Sequence, residues 1–290
     1  MAIIINGKET AQKVEDQVRQ RVITLKDRGI IPCLAVILVG EDPASVSYVT
    51  GKKKALEEAG MEDREIRLPF ETSEAELLSL IASLNADEKV HGILVQHPFP
   101  PHVNENRIFS AIDPKKDVDG FSAVSAGNLA MGKPGFVPGT PLGIVHLLRE
   151  YNIPVAGRHA VIIGRSNIVG KPLASLLLRK DLNATVTICH TGTPDLSYFT
   201  RQADILIAAV GRPGLVTKDM VKDGAVIIDV GVNRIADPSR KKGFRLRGDT
   251  DYEALLDRAG WITPVPGGVG PMTIAMLMQN VADAADQYHQ

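Results

Sequence analysis

Apolar residues along this chain fall into short unbroken runs, separated by longer stretches in which they recur every three or four positions. The runs are Cys33–Val39, Gly92–Val95, Ala160–Ile163, Ile205–Ala209 and Ala225–Val230. Such runs fit strands covered on both faces, as in a parallel sheet. Thr185–Cys189 alternates Thr and apolar residues and reads as a further strand, as do Ala2–Ile5 and Glu65–Leu68. The stretches between them predict helices over Lys8–Arg28, Pro43–Ala59, Ser73–Asn85 and Thr140–Tyr151. Gly29 closes the first, Asp42 caps the second with Pro43 at its first position, and Thr140 with Pro141 opens the last. Regular alternation of strand and helix predicts an α/β architecture with largely parallel sheets.

Elsewhere the periodicity fades. A proline-rich loop, Gln96–His102, leads into a short helix near Asn104–Ile112, and Asp113–Pro138 shows no long periodic element. Asp237–Gly248 reads as an exposed hairpin or loop. Thr263–Pro271 is too rich in Gly and Pro for a regular element, and a final helix is expected over Met272–Tyr288.

One junction carries more than its fold. The run Ala160–Ile163 breaks into Gly164-Arg165-Ser166-Asn167-Ile168-Val169-Gly170-Lys171-Pro172. A buried strand, a glycine turn and a helix start form the geometry that holds a dinucleotide pyrophosphate on backbone N–H groups. Ser166 occupies the place of the second glycine in the common G-x-G-x-x-G pattern. The stretch is not a Walker A loop, because five residues separate its glycines and Pro172 follows the lysine. The next strand ends in Cys189-His190-Thr191-Gly192-Thr193 without the carboxylate that would hold a ribose 2′-hydroxyl. Arg165 and nearby hydroxyls suit a 2′-phosphate instead, so NADP is favoured over NAD. The plain alternative is that Arg165 is a surface residue.

Composition narrows the class. The chain has 290 residues and 44% hydrophobic content, enough for two ordinary domains with buried cores. With 33 basic and 34 acidic residues, it has no general electrostatic attraction for nucleic acid or an anionic membrane. No uncharged apolar run approaches a membrane span, and the start does not read as a signal peptide. Cys33 and Cys189 lie far apart in expected strands and read as reduced core thiols of a cytoplasmic protein.

Candidate chemistry lies in the first half. Tyr48 and Lys52 are four apart on an expected helix and share a face. A buried lysine becomes a general base near neutrality, whereas the run Lys52-Lys53-Lys54 also fits a solvated face. Gln96 ends a buried strand at the edge where α/β sheets place ligands. Asp117-Val118-Asp119-Gly120 reads as a turn, and neither it nor the seven histidines has metal-ligand spacing.

Together these segments resemble the bifunctional methylenetetrahydrofolate dehydrogenase/cyclohydrolase family over essentially the whole chain. The matching stretches are Ser47-Tyr48-Val49 with Lys52, Gly92–Gln96, Lys116–Phe121, Gly164–Pro172, Asp229–Arg234 and Thr263–Thr273. The resemblance implies an N-terminal α/β catalytic domain, residues 1–118, completed by a returning C-terminal helix over 271–290. It implies a Rossmann-like NADP-binding domain over 119–270, a homodimer, and tetrahydrofolate one-carbon derivatives bound between domains. It casts Lys52 as the central catalytic residue, with Tyr48 stacking near the pterin, Gln96 tuning the lysine and Asp119 bonding the pterin edge. Pro264, Gly267 and Gly268 would wall the folate site. Gly164, Arg165, Ser166, Thr191 and Val232 would contact NADP, and no metal is implied.

Four positions depart from the family pattern: His97 and Phe99 where leucines are common, Gly139 in place of a cysteine, and Gly192 in place of a basic residue. Two other readings stay open at this point. One is a dehydrogenase with little cyclohydrolase activity; the other is a nucleotide-sensing protein without chemistry.

Overall fold

The computed structural model describes residues 1–240 and 243–288. In chain order its elements are β1 (Ile3–Ile4), α1 (Gly7–Asp27), β2 (Cys33–Val39), α2 (Pro43–Ala59), β3 (Glu62–Leu68), α3 (Glu74–Ala86), β4 (Gly92–Val95), α4 (Glu105–Ala111), α5 (Ala123–Ala130) and α6 (Gly139–Glu150). There follow β5 (His159–Ile163), α7 (Gly170–Leu177), β6 (Thr185–Cys189), α8 (Leu196–Thr200), β7 (Ile205–Ala208), β8 (Val226–Asp229), β9 (Asn233–Ala236), β10 (Phe244–Arg247), α9 (Tyr252–Leu255), β11 (Trp261–Ile262) and α10 (Val269–Tyr288).

Two compact units emerge. One joins Met1–Ala11 to Gly139–Thr273; the other joins Gln12–Pro138 to the chain from Ile274 onward. These units divide the chain differently from the expected domain boundaries. The first strand belongs with the dinucleotide-type unit, because β1 pairs in parallel with β11. Residues 119–138 stay with the catalytic-type unit, where Asn280 Nδ2 donates to Val118 O at 2.7 Å and to Val137 O at 3.0 Å. Helices α1 and α10 each begin in one unit and end in the other.

The catalytic-type unit is built on a three-stranded parallel sheet in the order β3-β2-β4. Central β2 is buried along its whole length, which explains its unbroken apolar run. Ile37, Ile93 and Val95 pack with Leu77 and Ile81 of α3 and with Ile108 and Phe109 of α4. The returning helix α10 is tied to α1 by Arg21, which pairs with Asp283 and Asp286, and by Arg28 on Asp286 at 2.7 Å.

The second unit holds a six-stranded parallel sheet in the order β1-β11-β8-β7-β5-β6. From β5 the chain goes first to β6 on one side, then to β7 on the other. That reversal is the switch point at which open α/β sheets leave a crevice beyond the strands' carboxyl ends. Strands β9 and β10 form a separate antiparallel hairpin.

Three local expectations change. Helix α5 lies inside the segment without periodicity, capped by Ser122 accepting from Ser125 N. Helix α10 begins at Val269, inside the Gly/Pro run. Pro271 is tolerated there because the first-turn N–H groups have no intrahelical acceptor. Helix α6 starts at Gly139, and the Thr140 hydroxyl meets the Thr273 hydroxyl at 2.8 Å instead of capping. Both cysteines are free and buried, and burial pushes the Cys33 thiol up to about 11.

Candidate active site

Gln96 follows directly on β4, its backbone N–H donating to Ile37 O at 2.8 Å so that the sheet holds it in place. Its Oε1 accepts from Lys52 Nζ at 3.1 Å, and its Nε2 donates to His97 O at 2.7 Å. The second bond fixes which end of the amide faces the lysine. Lys52 extends from α2, whose start is set by Asp42 accepting from Ser45 N at 2.8 Å. Tyr48, one turn earlier on the same helix, leaves 52% of its surface open to a ligand.

Asp119 is the third member of the group. Burial lowers the pKa of the Lys52 ammonium, and the Asp119 charge opposes that shift. Burial raises the Asp119 carboxyl, and Lys52 opposes it. Desolvation outweighs attraction for both, so each is brought nearer to proton exchange at moderate pH.

The turn carrying Asp119 is pinned by its neighbours. The buried Lys116 donates to Leu84 O at 3.0 Å and Asp87 O at 2.7 Å, closing the end of α3. Asp117 accepts from Phe121 N, Ser122 N and the Ser125 hydroxyl, the last at 2.6 Å. Asp117 and Ser125 are positioning groups that the turn motif alone did not single out. The S-x-x-S spacing of Ser122 and Ser125 was the available signal.

His97 and Phe99 both turn toward α4. His97 Nε2 lies 3.3 Å from Glu105 Oε2. Phe99 meets Phe109 edge-on at 5.5 Å, and Phe109 meets Phe121 at 5.3 Å. Phe99 thus stands at one end of an aromatic ladder running through Phe109 to Phe121.

In the other unit, Gly164 follows β5 with φ +121°, and a Cβ there would overlap Ala209 O just past β7. The crevice at the switch point therefore requires glycine. The Ser166 hydroxyl accepts from Val169 N at 3.1 Å and Gly170 N at 3.4 Å, shaping the turn into α7. Arg165 is exposed beside it. Register pairs Ile163 with Cys189, so Thr191 leaves the neighbouring strand end. The His190 ring accepts from Gly192 N at 3.0 Å through Nδ1, and a Cβ at 192 would come within 3.1 Å of that ring.

Val232 follows β8 and is 46% exposed, while Pro264–Gly268 follows β11 on the same sheet edge. Gly267 O accepts from Lys8 N at 3.0 Å. Pro264 and Val265 line a cavity of about 370 Å³ with Arg245, Arg247 and Thr250. Among the described residues there is no cluster of metal-ligating side chains, and no helix is long and apolar enough to cross a membrane.

A glycine-turn crevice at a parallel-sheet switch point, joined in one chain to a lysine–amide–carboxylate cluster, defines a dinucleotide-binding α/β enzyme class. Residues 5–119 match the model of the tetrahydrofolate dehydrogenase/cyclohydrolase catalytic domain, and residues 138–289 match that of its NAD(P)-binding domain. The chain belongs to the tetrahydrofolate dehydrogenase/cyclohydrolase family. It is 56% identical to the bifunctional protein FolD of Exiguobacterium sibiricum, over 98% of this chain and 100% of that one. Its fold matches the bifunctional FolD enzyme of Campylobacter jejuni with a TM-score of 0.94, at 46% identity over 99% of each chain. It also matches the Trypanosoma brucei methylenetetrahydrofolate dehydrogenase-cyclohydrolase, solved with NADP and an inhibitor. There the TM-score is 0.95 at 36% identity, covering 100% of this chain and 99% of that one.

Proposed function

We propose that this protein oxidises 5,10-methylenetetrahydrofolate with NADP and hydrolyses the resulting methenyl cation to 10-formyltetrahydrofolate, serving one-carbon metabolism. The observation that carries this reading is the Lys52–Gln96 bond beside Asp119, with burial lowering the amine. A nucleotide sensor without chemistry has no use for a lysine held in that state.

NADP would lie along the β5 turn. Gly164 would permit the close backbone approach at the turn that Ser166 shapes, Arg165 and Thr191 would hold the 2′-phosphate, and Val232, after β8, would contact the cofactor. When bound, NADP accepts the hydride from the one-carbon bridge. This chain's contribution to that step is alignment and exclusion of water.

Hydrolysis asks more of the side chains. Water adds its oxygen to the cationic carbon, and Lys52 as free amine takes a proton from that water. The bond from the carbon to N5 then breaks, with one proton delivered to N5 and one released. Gln96 aims the amine, Tyr48 stacks on the pterin, and Asp119 accepts hydrogen bonds from its polar edge. Pro264, Gly267 and Gly268, on the loop after β11, are further proposed folate contacts. The working form in this reading is a cytoplasmic homodimer, which light scattering tests by giving the mass of two chains rather than one.

The test is a two-stage spectrophotometric assay. Methenyltetrahydrofolate should form only with dinucleotide and should then disappear faster than it does spontaneously. Formation without accelerated loss would leave a dehydrogenase alone, and neither stage would overturn the reading.

A further inference from the structure

Two buried carboxylates at the carboxyl edge of the larger sheet have no part in the chemistry above. Asp229, the last residue of β8, is 2% exposed, and Asp249, two residues past β10, is wholly buried. Asp229 Oδ1 accepts from Gly231 N and Asp249 N, each at 2.9 Å. Its Oδ2 accepts from Thr250 N at 2.9 Å and the Thr250 hydroxyl at 2.6 Å. Asp249 Oδ2 accepts from Val210 N at 2.8 Å and Gly211 N at 3.0 Å, and its Oδ1 accepts from Asn233 Nδ2 at 2.9 Å.

These bonds link four pieces of chain: the exit of β7 at Val210–Gly211, the exit of β8 at Gly231, the start of the hairpin at Asn233 and its end at Asp249–Thr250. The approach is so close that a Cβ at Gly231 would overlap the Asp249 carboxylate, and one at Gly248 would overlap that of Asp229. Val232 lies between two of the tied residues, Gly231 and Asn233. The Val210 side borders Ala209, whose carbonyl closes on Gly164.

We infer that Asp229 and Asp249 are positioning residues for the dinucleotide, holding the β7 and β8 exits at the spacing the cofactor requires. The inference rests on the proposed NADP-binding role of this unit. A carboxylate suits the task because each of its oxygens can accept two donors, which keeps several backbone N–H groups aimed inward at once. An amide presents an NH₂ group to donors and cannot replace it at both ends.

Asp249→Asn is the milder variant, since its NH₂ group would meet one side-chain amide, that of Asn233, which keeps its own bond to Arg247 O at 3.1 Å. Asp229→Asn confronts a backbone N–H on either side. The experiment compares wild type and Asp249→Asn in NADP affinity, dehydrogenase rate and hydrolysis of supplied methenyltetrahydrofolate, at a temperature where circular dichroism shows both folded. The expected result is an NADP KM raised at least about tenfold, with hydrolysis within about twofold of wild type. Thr250→Val, which deletes only the hydroxyl donor, should give a smaller shift in the same direction and serves where Asp249→Asn is not folded. Unchanged NADP binding in the folded variants, or parallel loss of both activities, would overturn the positioning role. A wild type without NADP-dependent oxidation would instead defeat the functional reading itself.

Discussion

Each unit holds a pair of aspartates with little exposed surface, Asp119 the half-buried one, and the two pairs are neutralised in different ways. Around Asp117 and Asp119 the compensation includes an ammonium: Lys52 interacts with Asp119, and both are shifted toward proton exchange by burial. Around Asp229 and Asp249 the donors are backbone amides, one hydroxyl and one side-chain amide. Burial raises the Asp229 carboxyl while those bonds oppose the shift. A lysine on a flexible stem can lose its proton and regain it. Backbone N–H groups cannot, so the second pair fixes geometry where the first can do chemistry.

Removing the ammonium should have the largest effect. Lys52→Met is expected to bring methenyltetrahydrofolate hydrolysis down to the spontaneous rate, a loss of about 10²–10⁴-fold for one general acid–base group. Hydride transfer should persist in measurable part, because it needs no proton from this residue. Hydrolysis above background in the variant would remove Lys52 from the role.

Next comes the cofactor side. Arg165→Ala should weaken NADP by roughly ten- to a hundredfold, corresponding to about 1.5–3 kcal/mol for a charge-assisted bond, and leave NAD nearly unchanged. Equal losses for both dinucleotides in a titration would show that Arg165 does not read the 2′-phosphate.

Much of this arrangement was legible in the chain because it is local. The apolar runs of β2, β4, β5, β7 and β8 are buried along their length and announced themselves. The glycine turn and the Tyr48/Lys52 spacing were likewise visible. Helix α5 was not, because its eight residues include Gly127 and Ser125 and are stabilised by an N-cap more than by periodicity. The Asp229–Asp249 pair was hidden for a different reason. Asp249 lies 20 residues from Asp229, and only the folded hairpin brings them together. The membership of residues 1–11 was hidden in the same way, decided by pairing with β11 far along the chain.

A subtler test uses pH. The Asp119 charge raises the Lys52 pKa against the lowering by burial, so its removal must let the amine fall further. If free Lys52 is the base, activity rises as pH climbs through its pKa. Asp119→Asn should therefore move that limb of the hydrolysis profile to lower pH, even if substrate binding weakens. A limb that stays in place or moves up would separate Asp119 from the lysine.

The smallest effect is expected at His97. Its ring pairs with Glu105 and meets Phe99, while the adjacent Gln96 turns to Lys52. His97→Leu should leave the hydrolysis pH profile where it is. A clear shift of the acidic limb, with circular dichroism unchanged, would put His97 in the proton path.

The comparison of the two aspartate pairs comes down to one side-by-side measurement. Lys52→Met and Asp249→Asn are each given methylenetetrahydrofolate with NADP, and each is also given methenyltetrahydrofolate directly. Lys52→Met should accumulate the methenyl product and fail to hydrolyse it. Asp249→Asn should form the product slowly yet hydrolyse supplied methenyltetrahydrofolate at close to the wild-type rate. Folded variants in which both activities fall in the same proportion would contradict the division of labour between the two units.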